Sequence, residues 1–263
     1  TIKTSSNNSG GLMVTGGGVL TANNLNVETS GNSSAAIRSD RGGGSLEVTK
    51  GTYKTTGIGS PVIYSTADIS VKDATLISTS SEGVVVEGKN SVSLDNVKLT
   101  DTNVSLNGNS ETYKNIFLYQ SMSGDASYGS AEFTAKDSEI ITNKGDTFYI
   151  TNTTAIINLI NNSFTNNDGY FLRSEGARWG NTGSNGGDVS LNLDNQSVEG
   201  NISIDNISTL DMKLSNKSLY KGCINNSNEA KNISVTLDSD SVIILSDNTY
   251  INTLTNSNNN NDN

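Results

Sequence analysis

Leu46-Glu47-Val48-Thr49-Lys50-Gly51-Thr52-Tyr53, Ile69-Ser70-Val71-Lys72-Asp73-Ala74-Thr75-Leu76 and Val92-Ser93-Leu94-Asp95-Asn96-Val97-Lys98-Leu99 are three copies of one pattern. Their anchors Val48, Val71 and Leu94 stand 23 residues apart, since 71 − 48 and 94 − 71 agree. Each copy alternates apolar and polar residues, passes a polar pair, and sets a large apolar residue five positions after its anchor. Alternation with period two marks a strand that buries one face. A fixed longer period marks stacked, self-similar coils.

The same template extends in both directions. Ala22, Ala135, Leu159, Leu193, Leu214 and Leu237 serve as further anchors. The residues five on are Val27, Tyr53, Leu76, Leu99, Ile140, Phe164, Val198, Leu219 and Val242, all apolar. Two positions after each anchor stand Asn24, Lys50, Asp73, Asn96, Asp137, Asn161, Asn195, Asn216 and Ser239. Asn and Asp dominate that column, and they tolerate the left-handed backbone that a tight corner demands. Stacked corners would also let these side chains hydrogen-bond along a column. The plain alternative is that Asn is simply abundant in this chain.

A second strand is expected after each corner, at Ala35–Ile37, Val62–Tyr64, Val84–Val86, Ile116–Tyr119, Phe148–Ile150, Tyr170–Leu172, Ile202–Ile204 and Val242–Leu245. No helical apolar period is present. The expected fold is all-β, a parallel β-helix or β-solenoid of about nine or ten coils with about 23 residues each. At the usual strand spacing the rod is about 45 Å long. Residues 1–255 form one domain, with 1–20 as a partial coil or cap, and 256–263 form a polar, disordered tail. A β-sandwich also has many short strands, but it would not hold one register over so many units.

Composition narrows the function classes. The net charge is −10, which opposes binding to nucleic acid or to an anionic membrane surface. No apolar run is long enough to cross a membrane as a helix. The chain has no His, which removes imidazole bases and zinc sites built on His. Its single cysteine, Cys223, has no partner for an internal disulfide. No leader is read at Thr1, so a mature fragment is expected.

Two intervals exceed the period. Leu94 to Ala135 spans 41 residues and Leu159 to Leu193 spans 34. Insertions in a solenoid become loops on one face, often the binding face. The first holds Tyr113, Tyr119, Asp125 and Tyr128, with Phe117 partly in a strand. The second holds Arg173, Glu175, Arg178 and Trp179, the only Trp. Ser121–Ser130, the second loop and the Arg38-Ser39-Asp40-Arg41 segment hold equivalent places in their coils, so all three are expected along one edge. Aromatic rings offer flat apolar faces that suit sugar rings, and Arg and carboxylates suit their hydroxyls. The ligand-binding candidates are therefore Trp179, Arg178, Arg173, Glu175, Tyr113, Tyr119, Asp125, Tyr128, Arg38, Asp40 and Arg41. The competing reading has Trp179 folding back as a lid over the apolar side of the rod, beside a solvated Arg178. Glu82, Glu87 and Asp125 are candidate carboxylates for glycoside hydrolysis, whose spacing the sequence leaves open. Calcium is possible and not required: no dense Asp cluster is present, and Asp238 with Asp240 comes nearest.

The runs Ser34-Ala35-Ala36-Ile37-Arg38-Ser39, Gly59-Ser60-Pro61-Val62-Ile63-Tyr64 and Glu82-Gly83-Val84-Val85-Val86-Glu87-Gly88-Lys89-Asn90-Ser91-Val92 resemble right-handed parallel β-helix surface proteins of Gram-positive bacteria. These belong broadly to the pectate-lyase-like superfamily and include adhesin-like, carbohydrate-binding members. The resemblance covers about Ser34–Leu99 and carries no catalytic residue onto this chain. It implies a right-handed helix, a bacterial cell-surface or extracellular location, and a glycan or host or plant surface polymer as partner. The function expected is non-catalytic binding. A polysaccharide lyase or hydrolase and a passive stalk are the alternatives.

Overall fold

The chain is an all-β parallel β-helix in the computed structural model, which describes residues 1–257 apart from position 109. Most coils contribute strands to three parallel faces, where the sequence pattern suggested two strands. The extra strand forms because the apolar residue after the corner opens a short strand of its own. Sheet I contains Asp68–Lys72, Ser91–Asp95, Ser130–Lys136, Thr153–Ile160, Gly187–Asp194, Thr209–Ser215, Asn232–Leu237 and Thr253–Asn256. Sheet II contains Ile2–Thr4, Thr75–Ser78, Lys98–Asp101, Glu139–Thr142 and Ser163–Asn166. Ser197–Glu199, Leu219–Gly222 and Val242–Leu245 form a separate three-stranded sheet in the last coils. The long strands Gly18–Thr29 and Gly44–Thr55 pass through the corner and join sheets I and II. Sheet III contains Leu12–Val14, Ile37–Ser39, Ile63–Ser65, Val84–Glu87, Lys114–Tyr119, Asp146–Thr151, Leu172–Ser174 and Ile202–Ile204.

All nine anchors pair in one unbroken register, from Ala22 on Val48 to Leu214 on Leu237. All nine are buried in the interior that the three sheets enclose. Phe148 lies in that interior against Phe133, Phe164 and Phe171, with ring centroids 5.4 to 6.2 Å away. Edge-on contacts of this kind add to the gain from burial. In the 1–20 segment Ile2 pairs with Val27 and Leu12 with Ile37. Asn256 belongs to the last strand rather than to a tail, and residues 258–263 lie outside the described residues.

Eight of the nine corner residues have the left-handed backbone, with φ between 48° and 60°; Ser239 does not. Their side chains pair only in places, Asn96 on Asp73 at 2.7 Å and Asn161 on Asp137 at 2.6 Å. The continuous ladder stands one residue further on, or two at Ser218 and Ser241, and is buried. There the Val97 N–H donates to Ser138, Ser138 to Asn162, Asn162 to Gln196, Gln196 to Ser218, and Ser218 to Ser241. These bonds satisfy corner amides that neither adjoining strand pairs.

Two expectations shift in the last coils. Leu219 and Val242 are not the inward residues; Tyr220 and Ile243 pair in the Val198 column instead. The corner there is one residue longer, because Lys217 as well as Asn216 takes positive φ. Val242–Leu245 accordingly belongs with Leu219–Gly222, not with sheet III, where Ile224 pairs with Ile202.

Gly51 shows how tightly corners stack. It has φ +102°, and a Cβ there would lie 2.1 Å from the Leu25 carbonyl oxygen. Gly51→Ala is expected to cost about 1–2 kcal/mol of stability through backbone strain. A lowered denaturant midpoint with unchanged slope would show it.

A candidate binding groove on the third sheet

Side chains on a strand point alternately in and out. In sheet III the outward positions form one stripe: Arg38 beside Tyr64, Tyr64 beside Val85, Val85 beside Phe117, Phe117 beside Tyr149, and Tyr149 beside Arg173. The stripe runs along the rod in steps of about 4.8 Å. Four consecutive members are apolar or aromatic. They are nevertheless shielded, because both insertions fold over them.

The first insertion splits into two arms around its strand Lys114–Tyr119. The arm before the strand places Asn107, Ser110, Glu111 and Thr112 along one wall of a groove of about 490 Å³. The second insertion places Glu175, Gly176, Ala177, Arg178 and Trp179 along the other. The arms meet at one end: a Cβ on Gly108 would lie 3.6 Å from a terminal guanidinium nitrogen of Arg178. Tyr64, Val85, Phe117, Tyr119 and Tyr149 form the floor. Phe117 stacks on Tyr119 at 4.3 Å and 15°, and Trp179 tilts against Tyr119 at 5.2 Å. Trp179 thus does fold back, but onto the outer face of the rod, where it leaves a groove beside it. Arg178 is exposed and lies over the Trp179 ring at 4.1 Å.

Carboxylates and hydroxyls surround this aromatic floor. Glu87 is fully buried and accepts hydrogen bonds from Tyr64, Tyr119 and Ser121. Glu175 accepts from the Tyr149 hydroxyl at 2.8 Å. Burial, with these carboxylates close by, pushes the Tyr64, Tyr119 and Tyr149 hydroxyls well above the ordinary phenol range. The three tyrosines therefore stay neutral donors.

Lys114 is buried with its ammonium 4.8 Å from the Phe117 centroid and 5.0 Å from that of Tyr149. It donates to Ser110 Oγ at 2.8 Å and to the Thr112 carbonyl at 3.0 Å, and lies 3.7 Å from Glu82. Burial holds its pKa below the ordinary lysine value, though Glu82 opposes the shift. Lys114 ties the first insertion to the floor.

Among the sequence-derived candidates, Trp179, Arg178, Glu175 and Tyr119 come together in the groove. Arg173 occupies the next step of the stripe, 2.6 Å from Asp146. Arg38 lies over Tyr64 at 5.7 Å and pairs with Asp40 at 3.0 Å. Arg41 reaches Asp125 at 2.6 Å, so the first coil's edge does touch the first insertion. Tyr113 stands apart from the groove, under the Lys144 ammonium at 3.9 Å. Tyr128 is 72% exposed and does not line the groove.

The sequence candidates omitted Tyr64, Val85, Tyr149, Lys114 and Glu111. A signal for the floor existed: Val84-Val85-Val86, Ile116-Phe117-Leu118-Tyr119 and Phe148-Tyr149-Ile150 are continuous apolar runs, which mark strands covered on both faces. Among the described residues no group of three or more His, Cys, Asp or Glu gathers to hold a metal ion. No protein-family model, curated protein or solved structure matches the chain.

Proposed function

We propose that the chain is a non-catalytic, glycan-binding protein of the bacterial cell surface or extracellular space, in the manner of an adhesin. The outward aromatic stripe Tyr64–Val85–Phe117–Tyr149, walled by two insertions, carries the reading. The insertions cover Val85, Phe117 and Tyr149, and the aromatic surface left open beside the groove is that of Tyr64 and Trp179. Sugar rings have apolar faces and hydroxylated edges. The faces stack on Tyr64 and Trp179 while Glu175 and Glu111 accept from hydroxyls.

The expected result on a glycan array is binding to extended polysaccharides, with Trp179→Ala weakening it at least about tenfold through loss of the stacking wall. Binding is expected to persist in a chelator. No binding to any glycan would overturn the reading and favour a passive stalk.

Lys114 supports a second reading. An amine of lowered basicity beside a carboxylate is a possible proton acceptor for a polysaccharide lyase. Its bonds to Ser110 and Thr112 favour the structural role instead. Release of unsaturated uronate or new reducing ends from polygalacturonate, lost in Lys114→Met, would establish the enzyme.

A further inference from the structure

We infer that the polymer taken by this groove carries no acidic groups, a deepening that rests on the glycan reading above. The ground is the pairing of the cations. Arg38 is engaged by Asp40 at 3.0 Å, and Arg173 by Asp146 at 2.6 Å, with Glu175 a further 3.8 Å contact. Lys114 faces Glu82 at 3.7 Å and donates to Ser110 and Thr112. Arg41 is held by Asp125 at 2.6 Å.

Each of these positive groups already has its counter-charge inside the protein. At Arg173 and Lys114 an acidic sugar would have to displace Asp146 or Glu82, both largely buried. Asp146 is itself buried, so breaking its pair with Arg173 would strand a charge away from water. Among the described residues Arg178 alone of the groove's cations lacks an ion pair with a carboxylate. Glu111 and Glu175 share its rim.

The balance of the walls points the same way. Glu82, Glu111 and Glu175 line the groove against Lys114 and Arg178. The whole chain carries −10. A uronate or sulfate approaching along the rod meets a repulsive field before it meets an aromatic ring. A neutral hexose polymer meets none. Its hydroxyls find acceptors in Glu111 and Glu175, and the flat stripe beneath is indifferent to charge.

The test compares purified oligosaccharides of equal length by calorimetry: neutral gluco- and manno-oligosaccharides against oligogalacturonates. The neutral set is expected to bind at least about tenfold more tightly, with affinity shifting less than about twofold between about 0.05 and 0.5 M NaCl. Glu111→Lys, at an exposed rim position, is expected to raise the ratio of uronate to neutral affinity several-fold. Uronate binding equal to or tighter than neutral binding, or a uronate affinity that collapses with salt, overturns the inference and leaves the glycan reading standing. If neither set binds, both fall.

Discussion

Asp101→Asn is expected to make the rod more stable at neutral pH, by about 2 kcal/mol. Asp101 closes its strand in sheet II between Ser78 and Thr142, points inward and is fully buried. Neither carboxylate oxygen accepts a well-formed hydrogen bond, and the nearby Asn103 backbone only partly offsets the burial. Burial, with Glu82 adding repulsion, pushes its pKa well above the ordinary carboxyl value. The unfolded chain releases this proton near the ordinary value while the folded chain retains it. Between the two values the folded state binds more protons, so stability falls as pH rises. The stabilising contribution is complete below the unfolded pKa and gone above the folded one. An amide at this position has no charge to bury. Melting temperatures across pH 4 to 8 should therefore decline less in Asp101→Asn than in the parent. Parallel curves for the two proteins would show that Asp101 does not titrate in this range.

Gln196→Ala should act in the opposite direction and more strongly, at about 3–4 kcal/mol. Gln196 joins the buried corner ladder with both ends of its amide. Its Oε1 accepts from the Asn162 backbone N–H at 2.7 Å and from Asn162 Nδ2 at 3.0 Å. Its Nε2 donates to the Asn162 and Ser197 carbonyls at 2.8 and 2.7 Å. Truncation leaves these groups without partners in a space closed to water, and leaves a cavity. Gln196→Glu separates the two causes, because it keeps the volume and the acceptor but loses the donor. Chemical denaturation should rank parent, then Glu, then Ala. If Ala unfolds at the parent's midpoint, the ladder contributes nothing to stability.

The fold was legible because its repeat is written in the residues that every coil shares. The nine anchors fill identical places in one ladder, and the Asn and Asp column follows from a corner that needs left-handed backbone. Failures began where a coil departed from the norm. Lys217 has no side-chain chemistry that announces positive φ, so the longer corner and the shift to Tyr220 were invisible. The third strand of each coil was hidden in the segment after the corner, too short to show a period. For the groove, the loops and Tyr119 were legible and most of the floor was not. Insertions announce themselves by length, whereas Tyr64, Phe117 and Tyr149 read as core. Contacts such as Arg41 with Asp125, 84 residues apart, need the coil register before they can be anticipated.

Stacking in which each strand pairs with its counterpart one coil away also governs how such a rod comes into being. Closing one more coil costs the entropy of a loop of about 23 residues, and even the 41-residue interval adds only about half a kcal/mol. Assembly is therefore a zipper: a nucleus of a few coils offers a raw edge, and each arriving segment seals it and exposes the next. Growth from the N-terminal side needs nothing from sequence yet to arrive. The groove, whose walls and floor come from Gly59 through Trp179, is complete once that stretch has docked. A chain emerging gradually from its N-terminal end thus completes this groove while its remaining coils are still to dock.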